Sequence, residues 1–385
     1  MSLQELHFQF VILAFMMMAT FVYSGYTITQ KTFKNRIATI SYWKFVWPSI
    51  ISYTIFMGLR YGRLIDYNIY YKRYNDIFHD IDTDPVFSLI MKGFGTLGVE
   101  YPFFIAFTSF FFIFSFLLYL KNKQEILLLA LPFFISECFM AENLIKWYFS
   151  FSICLISLYF FQKKKYITSL LLVLLAFFTH TGMMLVLIPF ILLICVKRCI
   201  MPSKVCLALF VLASFIGNVN LLSILEPIMP YIGINEKLAA YAIQFDTIIK
   251  GQFGILGIAE QKGFLEIIRN ILSFAFPIML APKMIELRKI TYYELNAFYI
   301  GVIIEPIFTQ VEILGRISGA FHFFQIVVSS YVYLYIFTRG IKLTPLYRQF
   351  SIVGFLCLLW YSIRYCLGIG RDAIEDLRFI WDVNF

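Results

Sequence analysis

Basic residues occupy every second connection between the hydrophobic segments of this chain. Twelve such segments are read near 7–28, 40–58, 99–120, 126–141, 144–161, 167–179, 182–196, 205–225, 267–282, 295–309, 317–337 and 347–367. The first connection carries Lys31, Lys34, Arg36 and Lys44, and the third Lys121 and Lys123. The fifth holds Lys163, Lys164 and Lys165; the seventh Lys197, Arg198 and Lys204. Lys283, Arg288 and Lys289 fall in the ninth, then Arg339, Lys342 and Arg348 in the eleventh. The short intervening loops hold only Lys146 and Arg316. A bias of this kind orients membrane proteins with the basic loops in the cytoplasm, which places both termini outside. With 61% apolar and 14% charged residues, the expected fold is an all-α polytopic integral membrane protein, a single transmembrane domain over 1–385.

The acidic residues sort the other way. Of the 23 carboxylates, only Glu125, Glu286 and Glu294 fall on the cytoplasmic side. Three outer stretches are too long or too polar for simple turns: 59–98, 226–266 and the tail from 364. Chemistry is therefore expected on the outer face. The net charge of +9 would suggest nucleic acid in a soluble chain. Here the excess flanks the membrane, so anionic lipid is the expected partner and nucleic acid is not. The first apolar run lacks a basic leader and a small-residue cleavage site, and reads as a retained span. The seven Cys are scattered and read as packing residues. No Gly-rich phosphate loop, Walker motif, catalytic Ser-His-Asp pattern or His-Glu-x-x-His pattern occurs, which argues against an ATP-driven pump.

The first outer loop begins Gly58-Leu59-Arg60-Tyr61-Gly62-Arg63 and continues through Asp66 to Tyr74. With a helix opening at Asp66, Asp66, Tyr70 and Arg73 share one face, and Tyr67, Tyr71 and Tyr74 the adjacent one. Arginine suits phosphate, carboxylates accept sugar hydroxyls, and tyrosine stacks on sugar faces. An interfacial aromatic belt is the alternative. Downstream, Asp80, Asp82 and Asp84 read as a solvated acidic loop capping a helix after Pro85, ahead of a divalent-cation loop.

Glu142 and Lys146 are four apart and can pair on one face of a helix, with Asn143 a candidate cap. Both a structural and a substrate role are open for them. Around Thr179-His180-Thr181-Gly182, about 31 apolar residues are too many for one span. As two they reach only about 21 Å each. This short hairpin recesses His180 below the outer surface, where an ionisable group is costly unless it faces a cavity. An amphipathic interfacial helix over 235–250 is expected to lie over such an outer-face cavity. Arg316, nearly alone on its side, has Glu312 four residues before it. It reads as a phosphate contact.

Gly58-Leu59-Arg60-Tyr61-Gly62, followed by Asp66-Tyr67 and Tyr70, resembles the Arg-Tyr-Gly…Asp-Tyr…Tyr signature of the EpsG family of Wzy-like bacterial polysaccharide polymerases. Thr179-His180-Thr181-Gly182, with an apolar run ending at Pro189, is similar to that family's His element. Gly315-Arg316-Ile317 resembles its Gly-Arg-Leu element. The similarity runs from about residue 50 to 335. Arg63-Leu64-Ile65 departs from the small residues often found before the Asp-Tyr. Asn143…Lys146-Trp147 stands where family members often carry Arg-Gln.

The resemblance implies joining of undecaprenyl-diphosphate-linked oligosaccharide repeat units, both donor and acceptor, on the periplasmic or extracellular face of the bacterial cytoplasmic membrane. A flippase and a chain-length regulator are the implied partners. Diphosphate leaves readily once its charge is stabilised, a task assigned to Arg60 and Arg316 with Arg63 assisting. The acceptor hydroxyl needs a base: His180 first, Asp66 second. Tyr67, Tyr70, Tyr71, Glu142, Lys146 and Glu312 are the expected substrate contacts. The scheme needs no metal or cofactor. A flippase of the same lipid-linked sugar is the competing reading; polar groups on one side only argue against it. An outer-face ligase or acyltransferase uses similar groups.

Overall fold

The computed structural model describes residues 2–33, 39–76, 84–217, 263–308, 312–338, 343–371, 374 and 377–383. The described residues are helical with no strand, apart from one isolated antiparallel bridge between Arg60 and Phe379. The helices are α1 (Leu3–Phe33), α2 (Thr39–Gly58), α3 (Leu64–Asn75), α4 (Pro85–Thr96), α5 (Tyr101–Tyr119), α6 (Leu127–Phe134), α7 (Cys138–Asn143) and α8 (Ile145–Gln162). They continue as α9 (Tyr166–Thr179), α10 (Met184–Cys195), α11 (Ser203–Ile216), α12 (Phe264–Glu286), α13 (Tyr292–Phe308), α14 (Glu312–His322), α15 (Gln325–Phe337) and α16 (Pro345–Cys366).

Helix occupies the described part of every expected span. Among the described residues, six segments are long and apolar enough to cross a bilayer: Leu3–Phe33, Tyr101–Asn122, Gln124–Asn143, Phe264–Glu286, Gly315–Phe337 and Pro345–Cys366. The chain is thus a multi-pass membrane protein with these six crossings by length and composition. The other expected spans are shorter or less apolar helices. The amphipathic helix expected over 235–250, and Asp80 and Asp82, lie outside the described residues.

The chain gathers into two compact units, 1–188 with 359–385, and 189–358. In the first, α1 packs on α2 and α6, α5 lies between α2 and α8, and α9 covers α8 and α4. Small residues allow close approach, as is usual between apolar helices in lipid. A Cβ at Gly58 would sit 2.5 Å from the Cα of Ala106, so α2 and α5 touch there only with glycine. Ser150 Oγ donates to the Ala176 carbonyl (2.6 Å) and Ser157 Oγ to that of Ser169 (2.8 Å), tying α8 to α9. In the second unit, α11 packs on α12 and α13, α13 on α14, and α12 on α15. Its Asn296 is fully buried: Oδ1 accepts from the Ile200 N–H at 3.1 Å and Nδ2 donates to the Arg198 carbonyl at 2.9 Å.

Within the expected span 126–141, α6 passes through a 3₁₀ turn at Ile135–Glu137 into α7. Two local expectations are corrected. Glu142 and Lys146 do not pair, because α7 stops at Asn143 and α8 starts at Ile145, with Leu144 at φ −97°, ψ 58° between them. The i, i+4 rule needs a continuous helix. Asn143 likewise does not cap α8; Leu144 holds that position, with no side-chain cap bond.

Candidate functional site

Two charged clusters of the first unit meet at the α7–α8 junction. The deeper one centres on Glu142, whose side chain is fully buried. Its Oε1 accepts from Arg63 Nη1 at 3.0 Å and from the Tyr365 hydroxyl at 2.8 Å, while Oε2 accepts from Arg371 Nη2. The break at Leu144 leaves the last α7 carbonyls without intrahelical donors. Arg60 Nη2 takes that of Glu142 at 3.1 Å, and Arg60 Nη1 that of Met57. Gly62 turns the chain here at φ +69°, a conformation natural to glycine. Arg63 then packs against the rings of Phe10, Phe56 and Phe379, at 5.1, 5.5 and 4.3 Å. Burial pulls its pKa down to about 10 against the pull of Glu142, so it stays charged at neutral pH.

The second cluster centres on Asp84, the residue preceding α4. Its Oδ2 meets Lys146 Nζ at 2.6 Å and His180 Nδ1 at 3.1 Å, and its Oδ1 accepts the Thr181 N–H at 2.8 Å. The side chains of Lys146 and His180 retain 12% and 16% exposure, against 3% for Asp84. The expectation of a solvated Asp84 is therefore corrected: the carboxylate is buried beneath two cationic or basic side chains and a backbone N–H. Burial by itself raises the carboxyl, but the hydrogen bonds from His180, Lys146 and Thr181, with the charge of Lys146, hold it well below the usual range. Trp147 lies edge-on to His180 with centroids 5.5 Å apart.

His180 ends α9 with extended backbone (φ −153°, ψ 107°), between helices of 14 and 12 residues. At about 1.5 Å per residue both fall well short of a bilayer's roughly 30 Å core. The tautomer that bonds Asp84 carries its proton on Nδ1, which leaves the lone pair on Nε2. A carboxylate-held imidazole of this kind can accept and return a proton.

The tyrosine stripe of α3 is a packing face. The rings of Tyr67, Tyr71 and Tyr74 lie 5.0, 5.4 and 5.4 Å from that of Tyr101, whose hydroxyl donates to the Tyr67 carbonyl at 2.9 Å. Tyr70 points elsewhere: its ring lies 5.3 Å from that of Phe87, with Lys146 Nζ at 6.0 Å and the Arg73 guanidinium at 5.8 Å. Asp66 is half-buried in the first turn of α3, where a carboxylate favours the helix N-terminus. Arg316 is half-buried on α14 in the second unit. Glu312 begins α14, and its side chain lies outside the described residues.

The narrow, partly open pocket beside Arg60, lined also by Tyr53, Met57 and Tyr148, has about 10 Å³ of space, room for one water at most. Asp84 and Arg371 are the site residues that sequence reasoning missed. Asp84 carried one available signal: an Asp directly before Pro is a common helix start. Arg371 carried none beyond its place in a polar tail.

The EpsG family, a family of Wzy-like polymerases, matches residues 43–368. Comparison with curated proteins and with solved structures finds no match for the chain.

Proposed function

Because the chain belongs to the EpsG family, we propose that it joins undecaprenyl-diphosphate-linked oligosaccharide repeat units at the outer face of the bacterial cytoplasmic membrane. The observation that carries this reading is the Asp84–His180–Lys146 group, in which a buried carboxylate holds two partly exposed side chains, between helices of 14 and 12 residues that are too short to cross a bilayer.

In the transfer, His180 Nε2 takes the proton of an acceptor sugar hydroxyl while Asp84 holds Nδ1. The acceptor oxygen bonds to the anomeric carbon of the donor glycan. The bond from that carbon to the diphosphate oxygen breaks, and the lipid diphosphate departs with the electron pair. Its developing charge needs cations rather than a proton. Lys146 and Arg73, both within about 6 Å of the Tyr70 ring, supply this charge in the first unit. Arg60 and Arg63 are buried at 1% and 0% exposure against Glu142, and serve as architecture. Asp66 is the alternative base.

The topology that supports this has both termini outside and the loops at 31–44, 162–166 and 338–348 in the cytoplasm. Labelling of a single Cys at position 164 by an impermeant reagent outside intact cells would overturn it.

A deletion strain tests the function. Glycan of a single repeat unit in place of a ladder is expected on a gel. An unchanged ladder refutes the proposal, and units trapped on the cytoplasmic face point to a flippase instead.

A further inference from the structure

The C-terminal segment reaches the Glu142 cluster from beyond the family-matched region, which stops at residue 368. Arg371, its side chain 3% exposed, donates Nη2 to Glu142 Oε2. Phe379 covers the Arg63 guanidinium. The Tyr61 N–H donates to the Arg378 carbonyl at 3.0 Å and the Ile380 N–H to that of Leu59 at 2.9 Å, so this segment also clasps the backbone on either side of Arg60.

We propose that Arg371 is a positioning residue for glycosyl transfer, fixing the α7–α8 junction so that Lys146 meets Asp84, the carboxylate that also holds His180. The inference rests on the polymerase reading. The route is short. Arg371 and Arg63 grip the two oxygens of Glu142, the penultimate residue of α7. The chain breaks at Leu144, and Lys146 stands in the first turn of α8 with its ammonium on Asp84. With both oxygens held, the junction has one setting. Without Arg371, Oε2 loses a charged donor and the buried carboxylate turns toward its remaining partners. The main-chain carbonyl that Arg60 holds and the reach of Lys146 change with it. Arg63 and Tyr365 still hold Oε1, so the fold survives. Misplacement of a reacting group by about 1 Å costs on the order of 100-fold in rate.

The test uses the full-length protein, reconstituted with lipid-linked repeat units, and measures kcat, KM and thermal midpoint. Arg371→Gln is expected to lower kcat by about 10- to 100-fold with KM close to wild type, and to lower the midpoint without unfolding the protein at the assay temperature. Arg371→Lys, which keeps the charge but loses the guanidinium geometry, should lower kcat by only a few-fold. In a Lys146→Met background, Arg371→Gln should add nothing, because both act through one contact. Wild-type kcat in Arg371→Gln, or a loss that multiplies fully with that of Lys146→Met, overturns the inference. If Arg371→Gln fails to insert, Arg371→Lys decides: a few-fold kcat loss at unchanged KM supports positioning, and wild-type kcat overturns it. Absence of polymer from the wild-type protein would instead break the polymerase reading.

Discussion

The two charged clusters at the α7–α8 junction use similar residues to opposite ends. Around Glu142, three arginines and a tyrosine surround one carboxylate in a space that solvent does not reach. Around Asp84, one carboxylate serves a lysine and a histidine that both keep an open side. A buried charge spent on its partners holds structure and offers nothing to a substrate. A histidine held at one nitrogen and open at the other can do chemistry. The arginines of a recognisable motif are thus buried against Glu142, and the proposed chemistry rests on a plain loop aspartate.

Breaking the scaffold should cost most. Glu142→Ala leaves Arg63 and Arg371 buried without their carboxylate, a change expected to cost about 3–5 kcal/mol. The amount of inserted protein and its thermal midpoint should both collapse. A variant as stable as wild type would erase the distinction between the clusters.

Asp84→Asn should insert normally and yet polymerise about 100- to 10,000-fold more slowly, since the imidazole loses its orienting charge. A pH series sharpens this. The folded Asp84 carboxyl titrates below its ordinary value of 3.8. Its stabilising effect is therefore complete above pH ~4 and lost as pH falls through the folded value. The midpoint separation that this carboxylate gives wild type over Asp84→Asn should close only in acid below about pH 4. Convergence near neutrality would mean that Asp84 is not held as an anion.

The smallest effect belongs to Tyr67→Phe. The Tyr67 hydroxyl is buried with no hydrogen-bond partner among the described residues, so its removal should change stability by less than about 1 kcal/mol and leave polymer yield alone. A large drop in yield would return the tyrosine stripe to a sugar-binding role.

How much of this was legible in the sequence follows from the range of the interactions. Helix positions come from continuous apolar runs, a local signal, and they agree wherever residues are described. His180 stood out because an ionisable group between two short apolar runs is costly without a purpose. Asp84 did not. Its partner in the structure is 96 residues away, whereas its sequence neighbours Asp80 and Asp82 suggested solvent. Glu142 and Lys146 misled for the related reason that their spacing matches an unbroken helix. The break at Leu144 sends one to the arginines and the other to Asp84. Arg371 joins Glu142 across 229 positions, a pairing that no local pattern announces.

The most direct test is polymer formation by His180→Ala, purified, reconstituted and supplied with lipid-linked repeat units. At wild-type yield and thermal midpoint, the rate should fall by about 100- to 10,000-fold, as for a lost general base. Full-length polymer at the wild-type rate would contradict the assignment of the proton to His180 and pass that role to Asp66.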